Sequence, residues 1–190
     1  AQDIAAMSAI PNMRVYLPSD RHQTRKLIEA LLADQKPAYV RVGRNPVEDI
    51  YTEDQIPFEF NKATVLSEGT DLALIACGEM VRPALAAAKL LSAQNITCTV
   101  LDMYCVKPFD SETALKAIRQ CKAVITVEEH TKIGGLGAMV SQLSASECPK
   151  YVRNLGLPDE PVVTGNSAQV TLSVGGYIFK SSIKHSFNCS

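Results

Sequence analysis

Three places in this sequence carry residue types that can do chemistry. The first is ITVEEHTKIGGLG, residues 125–137. An apolar strand there runs into a glycine-rich loop and a helix start, where free backbone N–H groups can hold an anion. The competing reading is a tight turn whose glycines let helix and sheet pack closely. The pattern is not the G-x-G-x-x-G of dinucleotide sites. The second place is His130, which follows Glu128 and Glu129. A histidine beside carboxylates can be a general base, but no serine or cysteine nucleophile stands beside it in sequence, so a structural or surface role is expected. His22 and His185 have less context still. The third place is YVRVGR, where Arg41 and Arg44 flank the end of a strand. An arginine leaving the carboxyl end of a parallel strand can grip a phosphate or carboxylate. On chemistry alone, a solvated surface position is the plainer reading.

None of these is a self-contained active site, because no triad, metal cluster or paired-carboxylate site stands out. The six cysteines include no C-x-x-C pair, so a zinc signal is missing. Cys77 and Cys98 lie in apolar strand-like runs and are expected to be small buried hydrophobes in a reducing compartment. The chain has 190 residues, 19 basic and 20 acidic, with no basic run, which weighs against nucleic acid or a membrane surface as partner. No apolar stretch approaches the ~20 residues of a membrane span, and no signal peptide is visible, so a cytoplasmic home is expected.

The elements that must position these residues follow from hydrophobic periodicity. Residues 3–9 read as the end of a helix, Arg14–Leu17 as a short strand, and residues 21–33 as a helix capped by Ser19 or Asp20, with apolar positions Leu27, Ile28, Leu31 and Leu32. Ala38–Val42 is a strand. Residues 45–62 carry two prolines, many carboxylates and no period, as in a linker. Strands are then expected at 63–67, 72–77, 97–101, 123–127 and 151–155. Helices are expected at 79–94, after Asp110 or Ser111, and from the glycine cluster to about residue 146. The helix at 79–94 has a core stripe of Val81, Leu85, Ala88 and Leu91 or Leu90. LALIAC is apolar on both faces, which suits a central parallel strand covered on both sides. Alternating strands and helices argue for an α/β fold, a mostly parallel sheet flanked by helices. Two strands in residues 1–44 cannot easily make a sheet alone, so further strands from missing sequence or from another subunit are expected.

Six stretches taken together resemble the transketolase family. They are DIAAMSAIPNMRVYLPSD (3–20), AYVRVGRNP (38–46), GTDLALIACG (69–78), VLDMYCVKPF (100–109), TVEEHTKIGGLG (126–137) and LGLPD (155–159). They keep the family's order over roughly residues 3–168. LGLPD followed by Gly165 favours transketolases and deoxyxylulose-phosphate synthases over the pyruvate dehydrogenase beta subunit. The resemblance implies a partial thiamine-diphosphate pyrimidine-binding domain at residues 1–44, a linker at 45–62 and a transketolase C-terminal domain at 63–190. It fails after about Gln169, leaving an atypical tail from about residue 170.

The implied chemistry is two-carbon ketol transfer between sugar phosphates. It uses thiamine diphosphate and Mg2+ at a subunit interface, as a homodimer or in a complex with a chain carrying the diphosphate-binding domain. The family's diphosphate and metal site and its activating glutamate have no matching positions here, so the chain is expected to bind no cofactor and to have no catalytic residue of its own. One functional position carries over: Arg44 matches the family's arginine for substrate phosphate. Arg41 is expected to be structural. The alternatives are a non-catalytic partner- or anion-binding module and a fragment of a deoxyxylulose-phosphate synthase.

Overall fold

Two sheets take up the apolar runs of the sequence in the computed structural model, which describes residues 2–43 and 46–159. In chain order the elements are α1 (Asp3–Ser8), β1 (Arg14–Tyr16), α2 (Arg21–Asp34), β2 (Ala38–Val40), β3 (Thr64–Ser67), β4 (Leu72–Ala76), α3 (Val81–Ser92), β5 (Cys98–Asp102), β6 (Cys105–Lys107), α4 (Ser111–Gln120), β7 (Ala123–Thr131), α5 (Leu136–Glu147) and β8 (Val152–Leu157).

The larger sheet runs β3-β5-β4-β7-β8. Its pairings are parallel except at the edge, where β3 lies antiparallel to β5. The expected mostly parallel sheet is present. β4 is central and all five of its residues are buried. Ala73 and Ile75 point into a core shared with Leu101, Val124 and Leu136. Leu72, Leu74 and Ala76 point into the opposite core, against α3. A strand covered on both faces has no polar alternation, which is why this one reads as a continuous apolar run.

The helices differ from expectation in which side chains they bury. α3 buries Val81, Ala84, Ala87 and Leu91, while Leu85 and Ala88 pack only partly and Leu90 is exposed. Small alanines bring this helix close to the sheet. In α2, Leu27 is buried but Leu32 is 71% exposed, and the polar Gln23 is 1% exposed. α2 is capped by Asp20, whose Oδ1 accepts the Gln23 N–H at 2.8 Å. α4 is capped by Asp110 rather than Ser111, through the Thr113 N–H. Such caps satisfy N–H groups the helix itself cannot.

The smaller sheet has the order β2-β1-β6, with β1 and β2 parallel and β6 antiparallel to β1. The third strand was expected from missing sequence or another subunit; instead β6, far along the same chain, pairs with β1. Residues 14–40 are therefore built into the same body as the larger sheet. Val15, Tyr16 and Leu27 share one core with Ala73, Leu101 and Ile118. The segment expected as a linker has no helix or strand from Pro46 to Lys62 and is largely exposed, yet it is anchored to the body by aromatic side chains. Tyr51 is 5% exposed, and Phe58 and Phe60 lie against the core. The two sheets also meet at their carboxyl ends, where the Gly78 N–H donates to the Leu17 carbonyl at 3.0 Å. Gly78 takes φ +57, a left-handed conformation that glycine adopts without a Cβ penalty. His185, Cys189 and the tail from about residue 170 lie outside the described residues.

Candidate functional site: a cleft where two sheets end

Strands β1, β2 and β4 all point their carboxyl ends at one cleft of about 550 Å3. Such ends favour ligand sites, because the loops after parallel strands converge there. Pro18, Ser19 and Asp20 come from the loop after β1, Val42 and Gly43 from the end of β2, Pro46–Asp49 from the following segment and Glu79 from the turn after β4. The two sheets thus contribute together.

Arg44 lies outside the described residues, as does Asn45. The residues that flank the pair, Gly43 and Pro46, both line the cleft. Gly43 lies directly against the Glu79 carboxylate, the mobile end of that side chain. Burial pushes the Glu79 carboxyl above its ordinary range, and nearby Glu129 adds to this while Arg41 opposes it.

Arg41 is fully engaged inside the protein. Its Nη1 donates to the Glu129 carbonyl at 2.8 Å and its Nη2 to Glu129 Oε2 at 3.1 Å, while its Nε lies 3.6 Å from Asp3 Oδ2. It ties β2, β7 and α1 together, which agrees with a structural role. Around the cleft, Arg21 pairs with Asp49 at 2.6 Å and Arg82 pairs with Glu48. His22 Nε2 is 3.5 Å from Asp49. The Arg21 guanidinium holds the Asp49 carboxyl below its ordinary value. Among the described residues, every arginine at the cleft already has a carboxylate partner.

The glycine-rich loop resolves differently from an external anion site. The anion at the start of α5 is the protein's own Glu128, 1% exposed. Its Oε2 accepts the Leu136 N–H at 2.7 Å and its Oε1 the Gly137 N–H at 2.8 Å. A Cβ at Gly135 would overlap that carboxylate. His130, fully buried, places Nδ1 2.7 Å from the Thr131 carbonyl and receives the Ala5 N–H on Nε2 at 3.3 Å. A carbonyl only accepts and an amide only donates, so the ring is the neutral tautomer with its proton on Nδ1. With both nitrogens occupied, it has none left for substrate. The five described cysteines are free thiols, four of them buried. Among the described residues no cluster of three or more His, Cys, Asp or Glu can hold a metal ion, and no helix is long and apolar enough to cross a membrane.

Residues 61–175 match the family described as the transketolase C-terminal domain. The chain belongs to the transketolase family. Its transketolase C-terminal domain covers more than half of the sequence, and relatives extend the likeness beyond it. The chain is 46% identical over 91% of its length to an apulose-4-phosphate transketolase subunit of Phocaeicola vulgatus, of which it covers 55%. It is 39% identical over 83% of its length to a 6-deoxy-6-sulfo-D-fructose transketolase subunit of a Clostridium species, of which it covers 49%. Among solved structures it resembles a split-gene transketolase beta tetramer described as inactive, with 36% identity and a TM-score of 0.82 over 93% of this chain and 60% of that one. The chain therefore spans about half the length of these transketolase relatives.

Sequence reasoning found the strand end that leads to the cleft, but it missed Glu79 and the loop after β1. Glu79 comes just after the strand β4, so the carboxyl-end rule pointed there. Its neighbourhood with Gly43 depends on how the two sheets meet.

Proposed function

We propose that this chain is the carboxy-terminal portion, or a subunit, of a thiamine-diphosphate-dependent transketolase-type enzyme that moves a two-carbon ketol unit between sugar phosphates. It works with a chain or segment that carries the diphosphate-binding domain, in a homodimer or a larger complex, and a cytoplasmic setting suits that role. The described residues do not fit the diphosphate group or its Mg2+. The glycine loop and α5 amino terminus are filled by Glu128, and no metal-ligand cluster accompanies them. When bound by the complete enzyme, the thiazolium supplies the carbanion chemistry. This chain's share is to hold substrate.

The cleft at the junction of the sheets carries this reading, because Gly43 and Pro46, the described residues on either side of the Arg44 and Asn45 pair, line it. Arg21, Arg41 and Arg82 are paired with Asp49, Glu129 and Glu48, so a substrate phosphate depends on Arg44 for its charge partner. Arg44→Ala in the assembled enzyme is expected to raise KM for a phosphorylated sugar by about 10- to 100-fold, the size of one lost charge-assisted hydrogen-bond pair. kcat should stay within a few-fold, and the KM of a dephosphorylated analogue should not move. Steady-state kinetics with both substrates decides the matter, and an unchanged KM for the phosphorylated sugar rejects the role.

A deoxyxylulose-phosphate synthase fragment is a second reading. It is supported by 36% identity to such a synthase of Symbiobacterium thermophilum over 88% of this chain, though the chain covers only 26% of that protein.

A further inference from the structure

Ser19, which lines the cleft, is held from behind by a carboxylate of the larger sheet. Asp102, the last residue of β5, is fully buried. Its Oδ2 accepts three hydrogen bonds: from the Ser19 hydroxyl at 2.7 Å, the Gln23 amide at 2.9 Å and the Tyr51 hydroxyl at 2.8 Å. These donors come from the loop after β1, from α2 and from the segment after Pro46. Its Oδ1 is buried without a partner. A half-satisfied carboxylate inside a protein is costly and persists where its surroundings hold it.

Asp20 extends the same network. Its Oδ2 accepts the Ile50 N–H at 2.9 Å and the Tyr51 N–H at 2.8 Å. Tyr51 is thus gripped at its backbone by Asp20 and at its hydroxyl by Asp102. Ser19, Asp20 and Asp49, the neighbours of these contacts, line the cleft. The charge on Asp102 is opposed by burial, which pushes the carboxyl up to about 6, and supported by the Ser19, Tyr51 and Gln23 donors.

We propose that Asp102 is a positioning residue for substrate: through Ser19, Gln23 and Tyr51 it fixes the loop after β1 and the segment after Pro46, both of which line the cleft in which a sugar phosphate binds. It touches no reacting atom. Its contribution is to hold the loop after β1 and the Pro46–Tyr51 segment in register, so that the phosphate meets a preformed site. This rests on the cleft being the phosphate site.

Two measurements separate the positioning claim from that reading. In hydrogen exchange on the chain, Asp102→Ala should speed exchange of the 46–51 segment by about tenfold or more while β4 stays protected. Unchanged exchange at 46–51 overturns the proposal whatever the substrate is. In the assembled enzyme, Asp102→Ala should raise KM for the phosphorylated sugar by about tenfold with kcat within about threefold. Asp102→Asn, which keeps an accepting oxygen for the three donors, should recover most of that loss. If Asp102→Ala fails to fold, Tyr51→Phe removes one donor alone and should raise KM by about threefold. Asn and Ala variants that are equally impaired, a Tyr51→Phe KM equal to that of the parent protein, or a KM that rises equally for a dephosphorylated analogue would each overturn it. If Arg44→Ala leaves KM unchanged while exchange at 46–51 rises in Asp102→Ala, the phosphate reading falls and the positioning role stands.

Discussion

Glu128→Ala is expected to destabilise the protein by about 3 kcal/mol or more, lowering the thermal midpoint by about 10 °C. The helix α5 has no side-chain cap of its own, and Gly135 stands at its N-cap position. Glu128 reaches across from β7 and accepts the Leu136 and Gly137 N–H groups. Removing it leaves two buried donors unmatched, each costing about 1–3 kcal/mol, and adds a cavity. Glu128→Gln keeps one accepting oxygen and should lose about half as much.

The pH dependence has a definite sign. Burial pushes Glu128 up to about 7 from an ordinary 4.5, against the pull of the two N–H donors and Arg41. Between those values the native state binds more proton than the unfolded chain, so stability falls as pH rises from about 4.5 to 7. Asp102, raised to about 6 from 3.8, acts in the same direction. Chemical denaturation at the two pH values should show a loss on the order of a few kcal/mol in the parent protein and a smaller loss in Glu128→Gln. A Glu128→Ala midpoint equal to that of the parent protein would refute the capping role.

Tyr104→Ala is expected to cost about 4–5 kcal/mol. Tyr104 is fully buried where three parts of the chain meet. Its ring stacks 6.2 Å from Tyr16 and lies 5.4 Å from Phe58. Its hydroxyl donates to the Glu59 carbonyl at 2.8 Å and accepts the Asn61 N–H at 3.0 Å. Its carbonyl accepts the Leu17 N–H at 2.7 Å. One residue thus joins β1, the segment before β3 and the turn after β5. Tyr104→Phe keeps the ring and should cost only about 1–2 kcal/mol, the hydrogen bonds at the hydroxyl. Limited proteolysis should show cleavage near residues 57–62 in the Ala variant and not in the Phe variant. Equal resistance in both would contradict this view.

The sequence made the parallel core legible where period and burial coincide. LALIAC announced β4 because a strand covered on both faces has no polar residue to interrupt it. β6 was missed because its three residues, Cys105–Lys107, stop just before Pro108 and form a strand only by pairing with β1. β7 runs past Val127 to Thr131, since Glu128 is buried by partners that only tertiary contact supplies. The same holds for Gln23, which α2 buries to reach Asp102, while Leu32 faces outward. For the cleft, the strand end before Arg44 was legible from YVRVGR. The contributions of Ser19, Asp49 and Glu79 were not, because they depend on how the two sheets abut.

The most direct test of the central claim is calorimetric titration of the 190-residue chain with thiamine diphosphate and Mg2+. The proposal is that these residues serve substrate and assembly while the diphosphate and its metal are held by other sequence. The expected result is no binding heat up to millimolar cofactor. Binding with a micromolar Kd by this chain alone would contradict it.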